Sequence, residues 1–104
     1  MADIIWTSTA FWVLETLPQT IAFGIVRQTD YLRKVPEMGS QILRPGNLSK
    51  YRQMIYNRAY RTIYRFSETE SCVRIVYLHN CRQKFPTAAQ LDRALRDEGE
   101  LPLE

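Results

Sequence analysis

The chain has 104 residues, of which 45% are hydrophobic, 12% aromatic and 24% charged. That is the make-up of one ordinary globular domain spanning residues 1–104, and it excludes a disordered tail, a collagen-like repeat and a disulfide-rich miniprotein. The net charge of +3 conceals a strong segregation: residues 1–26 carry −2, residues 27–84 carry +8 and residues 85–104 carry −3. No apolar run approaches the ~20 residues that span a bilayer. Asp3 and the lack of early Lys or Arg argue against a signal peptide, so a cytoplasmic protein is expected. Cys72 and Cys81 are too few for a disulfide framework, and with His79 as the sole histidine no zinc pattern forms. Neither a metal nor a cofactor is expected.

The elements follow in chain order. Asp3–Thr7 is rich in β formers and reads as an opening strand. Thr7 or Ser8 can cap a helix over 9–16. Pro18 suits the first turn of a second helix, capped by Thr16 and running to about Lys34. Ile21, Ile25 and Leu32 form its apolar stripe, with Ala22 and Val26 beside it. Residues 40–50 read as loop, with a turn at Pro45-Gly46-Asn47. The period then changes to two. Strands are expected at 51–56, 60–66 and 71–79, joined by connections too short for anything but antiparallel neighbours. Thr87-Ala88-Ala89-Gln90 has capping-box spacing and opens a short final helix, expected to dock loosely. The result is an α+β fold: an N-terminal strand, a helical hairpin and a three-stranded antiparallel meander, with the helices on one sheet face.

Strand alternation assigns the faces. Tyr60, Thr62, Tyr64 and Phe66 should meet the helices, leaving Arg61, Ile63 and Arg65 on the other face. Arg52, Met54 and Tyr56 share one face, as do Val73, Ile75, Tyr77 and His79. The basic middle of the chain is built mainly from arginine, eleven Arg against three Lys overall, with five tyrosines between Tyr51 and Tyr77. Arginine forks match phosphate oxygens and stack on bases. This composition suits RNA or an acidic protein surface. The plain alternative is a solvated surface in which Arg stems cover apolar patches.

The order of elements resembles the RelE/ParE superfamily, the toxins of bacterial type II toxin–antitoxin pairs. The matching residues are Ile4-Ile5-Trp6-Thr7 with Ala10, Val35-Pro36-Glu37-Met38-Gly39, Tyr60-Arg61-Thr62-Ile63-Tyr64-Arg65-Phe66, Val73–His79 and Arg82-Gln83-Lys84-Phe85-Pro86. The likeness covers residues 3–86. It implies a toxin that binds a cognate antitoxin and, in the RelE branch, cuts mRNA on the ribosome. ParE members instead inhibit DNA gyrase without nuclease activity, and a degenerate, non-catalytic basic interaction domain is the third reading. For cleavage, the resemblance implies Arg61, His79 and Arg82 as catalytic residues. Arg52, Arg65, Lys50 and Lys84 are the expected RNA-binding side chains. His79 has the side chain whose ordinary pKa lies near neutrality, which suits proton transfer. Two departures stand out: Met54 occupies the place of a second lysine in the RelE type, and no tyrosine follows Arg82.

Overall fold

The computed structural model describes residues 1–99. Glu100 and Glu104, part of the expected acidic end, lie outside them. The elements are β1 (Asp3–Trp6), α1 (Ser8–Thr16), α2 (Gln19–Asp30), β2 (Ser40–Gln41), β3 (Arg52–Tyr56), β4 (Tyr60–Ser67), β5 (Cys72–Asn80) and α3 (Ala88–Gly99). The expected α+β class is what the chain adopts. Its sheet has five strands rather than three, in the order β1-β5-β4-β3-β2. β1 lies parallel to β5, and all other pairs are antiparallel.

Local chemistry sets the helix ends. The Thr7 hydroxyl caps α1 by accepting from the Ala10 N–H at 3.2 Å, and it reaches the carbonyls of Ile75 and Val76 at 3.0 Å. One buried side chain thus starts a helix and ties it to β5. Thr16 does not cap the next helix: its hydroxyl donates to the Val13 carbonyl at 2.7 Å, and Pro18 itself holds the cap position of α2. α2 stops at Asp30 and a 3-10 turn, Tyr31–Arg33, carries the chain on, so the expected long helix ends early. β2 was legible only as loop, because two residues cannot display a period.

Two cores sandwich the sheet. The first packs Ala10, Leu14, Ile25 and Leu32 against Met54, Tyr64, Val73, Ile75 and Leu78. Gly24 belongs to this packing: a Cβ there would lie 1.9 Å from the Tyr56 hydroxyl, so a larger residue would push the end of the Tyr56 side chain aside. The second core joins Ile42, Leu48, Tyr51, Ile63 and Val76 to Leu91 and Ala94 of α3. The helices therefore do not occupy one face alone. α3 is not loosely docked either, since Leu91 is fully buried and Tyr51 donates to Asp92 Oδ1 at 2.5 Å.

One irregularity decides which side chains share a face. The β4–β5 register runs Ile63↔Tyr77 and then Tyr64↔Ile75, so Val76 is an extra residue on β5. Before it, Val73 and Ile75 face the first core. After it, Tyr77 packs on the second core and His79 pairs with Arg61. Strict alternation would have kept these four residues together; the bulge sends His79 to the arginine face.

Candidate nucleic-acid interface

Arg61 pairs with His79 on β5 and with Ile55 on β3. Cross-strand partners point to the same side, so Arg61 and His79 meet there. Arg61 Nη1 lies 3.2 Å from His79 Nε2. A guanidinium only donates, so Nε2 accepts and the ring proton sits on Nδ1. His79 is 4% exposed. Burial first, and the Arg61 charge second, pull its pKa down from 6.5 to about 4. The imidazole is therefore neutral at pH 7, and its proton-carrying range lies well below the one an exposed histidine would have. His79 Nδ1 and Arg61 Nε are buried and make no hydrogen bond among the described residues.

Phe85 completes the cluster. Its ring stands edge-to-face with His79, centroids 6.0 Å apart, and Tyr77 makes a second T-shaped contact with His79 at 5.7 Å. The Arg61 guanidinium carbon stands 4.8 Å from the Phe85 centroid, and that of Arg44 stands 4.1 Å from it. Each cation–π contact is worth roughly 0.5–2 kcal/mol and holds a cation in place without neutralising it. Shallow hollows flank the ring. One is lined by Arg44, Gly46, Leu48 and Thr87; the other, about 410 Å³, by Tyr77, Lys84, Thr87 and Gln90. Among the described residues, Arg44, Arg61, Arg65, Arg82 and Lys84 pair with no carboxylate.

The sequence candidates divide as follows. Arg61 and His79 are in contact, and Lys84 lines the hollow beside Phe85. Arg82 is exposed on the turn after β5, where its N–H donates to Asn80 Oδ1 at 2.8 Å. Arg65 is exposed on the same face as Arg61, four residues along β4. Lys50 is engaged by Asp92 at 3.1 Å. Arg52 is not part of this cluster. It pairs with Tyr64 on the opposite face, where Nη1 donates to the carbonyls of Gly39 at 2.7 Å and Glu37 at 3.3 Å. Met54 is buried on that same face, so a lysine there would not reach Arg61. Arg44 was not singled out from the sequence, and Phe85 entered only as part of the Arg82–Pro86 match, not as a site residue. Each sits in a loop, 41 residues apart in number, with no periodic signal to join them.

The fold has solved counterparts. In the RelBE2 toxin–antitoxin complex of Mycobacterium tuberculosis, the similar chain aligns with a TM-score of 0.65 at 23% identity, covering 76% of this chain and 96% of that one. In the intact E. coli RelBE toxin–antitoxin complex the TM-score is 0.66 at 12% identity, over 80% of this chain and 100% of that one. The isolated E. coli RelE toxin gives 0.64 at 11% identity, over 93% and 99%. The chain has the RelE fold. No protein-family model matches the sequence, and no curated protein matches it. Within this RelE fold, no group of three His, Cys, Asp or Glu among the described residues could hold a metal ion. No helix among them is long and apolar enough to cross a membrane.

Proposed function

We propose that the chain is the toxin of a toxin–antitoxin pair and arrests translation as a ribosome-dependent mRNA endoribonuclease. The observation that carries this reading is the convergence of two guanidiniums, Arg44 and Arg61, that pair with no carboxylate among the described residues, on Phe85 beside the buried His79. An anion is the ligand that such a cluster lacks, and the Arg-rich, aromatic setting favours RNA phosphate.

Cleavage by the neighbouring 2′-OH needs that hydroxyl deprotonated, the anionic phosphorane stabilised and the leaving 5′-oxygen protonated. Arg61 and Arg44 supply the second task with charges that persist throughout. A phosphate seated against Arg61 also changes His79. Its negative charge favours the imidazolium and offsets the Arg61 field, raising the pKa from its value in the free protein. The proton carrier is thus armed by the RNA it acts on, and the free protein is a weak catalyst. Arg82 and Lys84 extend the phosphate contacts at the same end. Arg52 holds the 36–39 segment instead of RNA, and Lys50 holds α3. The partner is a cognate antitoxin whose acidic segment covers the basic face.

The test is induced expression followed by primer extension on a reporter mRNA, beside a gyrase supercoiling assay with purified protein. Wild type should cut mRNA within codons and leave supercoiling intact. Arg61→Gln should lower cleavage by about 10²–10³-fold, the usual loss for one transition-state donor. Growth arrest with intact mRNA and blocked supercoiling would replace this reading by gyrase inhibition. Absence of both effects would leave a non-catalytic interaction domain.

A further inference from the structure

The β3–β4 hairpin carries an arginine where its backbone favours glycine. The Ala59 N–H donates to the Tyr56 carbonyl at 3.0 Å, and the two residues between them, Asn57 and Arg58, have φ of 54° and 58°. Positive φ at both central positions is the I′ pattern, best filled by Asn-Gly. Asn tolerates that region because its short polar side chain bonds locally, whereas the Cβ of other residues crowds the following carbonyl. The other non-glycine residues with positive φ among the described residues are Asn47, Asn57 and Ser71, so Arg58 is the one long side chain held this way. It is exposed, and its side chain makes no hydrogen bond or ion pair among the described residues. Uncompensated backbone strain of this kind gathers at functional sites.

The surroundings of Arg58 give it a use. The Cys81 N–H donates to the Ala59 carbonyl at 2.7 Å and joins the hairpin tip to the 80–83 turn. That turn is fixed in its own right: the Gln83 N–H donates to the Asn80 carbonyl at 2.9 Å, and the Arg82 N–H donates to Asn80 Oδ1 at 2.8 Å. Arg58 and Arg82 each sit one residue beyond the 59–81 bond, so two arginines that pair with no carboxylate among the described residues stand at one end of the sheet. Tyr60↔Asn80 is the next pair inward, and Arg61↔His79 follows it. The chain from Arg58 to Arg61 spans at most about 10 Å, at roughly 3.3 Å per residue. We infer that Arg58 binds a phosphate of the RNA strand just outside the cleavage centre, beside Arg82, and that the hairpin bears its strain for this contact. The inference rests on the function proposed above and adds a residue to its binding surface.

The test measures stability and RNA binding together on the full chain. Binding of a labelled single-stranded RNA, with a 2′-deoxy block at the scissile position, is followed by fluorescence anisotropy across a salt series. Arg58→Gly and Arg58→Asn should each raise the Tm by roughly 2–6 °C, because both residues fit the left-handed region. The same variants should flatten the log–log salt slope by about 0.7, one phosphate contact's worth on a single strand, and weaken binding about fourfold at about 0.15 M salt. Arg58→Lys keeps the charge and should keep both the slope and the wild-type Tm. Arg27→Gln on α2 is the control for bulk charge and should leave the slope unchanged. If the Tm rises in Arg58→Gly and Arg58→Asn but only Arg61→Gln flattens the slope, Arg58 is a solvated surface arginine; the inference is overturned and the proposed function stands. A lower Tm in both variants also overturns it, since the turn would then need Arg58 itself. If no RNA binds, or Arg61→Gln also leaves the slope unchanged, the proposed function falls and takes the inference with it.

Discussion

His79 gives the sharpest prediction because it is the only histidine, so its ring resonance is unique. Burial and the Arg61 charge hold its pKa at about 4 in the folded chain, against 6.5 when unfolded. Between those values the unfolded chain binds a proton that the folded chain refuses. Stability from the neutral imidazole is therefore complete above pH 6.5 and is lost as pH falls toward 4. Integrated from pH 7.5 to pH 5, the loss is about 2 kcal/mol, and below pH 4 it levels off at about 3 kcal/mol. That is a large share of the 5–15 kcal/mol typical of a domain. Urea unfolding of wild type and His79→Gln at both pH values isolates the contribution, because other titrations cancel in the difference. Arg61→Gln should raise the ring midpoint yet leave it below 6.5, since burial is the larger cause. A wild-type midpoint near 6.5 with no excess acid sensitivity over His79→Gln would refute this reasoning.

Further predictions concern the ties that shape the face. Tyr51→Phe removes the buried donor to Asp92 and should cost about 1–3 kcal/mol in urea unfolding. The Tyr51 hydrogen bond, with the Lys50 pair, holds the Asp92 carboxyl below its usual range, so that tie is present above the ordinary aspartate pKa and fades as pH drops through the depressed one. In Tyr51→Phe the acid loss should shrink. Gly39→Ala would place a Cβ 2.7 Å from the Gln53 carbonyl and 2.8 Å from the Tyr64 ring. It should destabilise by about 1–3 kcal/mol, read as a Tm drop of roughly 4–8 °C per kcal/mol.

Much of this architecture was legible because strands β3–β5 carry a plain period of two and short turns. The assignment of Tyr60, Tyr64 and Phe66 to the helix side, with Arg61 opposite, follows from that period alone and agrees with the packing. Other features left no local trace. The extra residue at Val76 is invisible in a run of Val, Ile and Tyr, yet it moves His79 to the arginine side. Arg52 was grouped correctly with Met54 and Tyr56, but nothing in those residues told which face they take. The burial of Met54 settles it. The depressed pKa of His79 depends on Arg61, 18 residues earlier, and on burial that sequence spacing does not display. Arg44 joins the cluster only through Phe85.

The most direct test of the central claim follows the His79 ring by NMR while a short RNA with a 2′-deoxy block at the scissile position is added. Phosphate seated on Arg61 should raise the ring midpoint from about 4 toward neutrality, and Arg61→Gln should abolish that rise. RNA that binds while the His79 midpoint stays where it was would show that the strand lies elsewhere on the molecule.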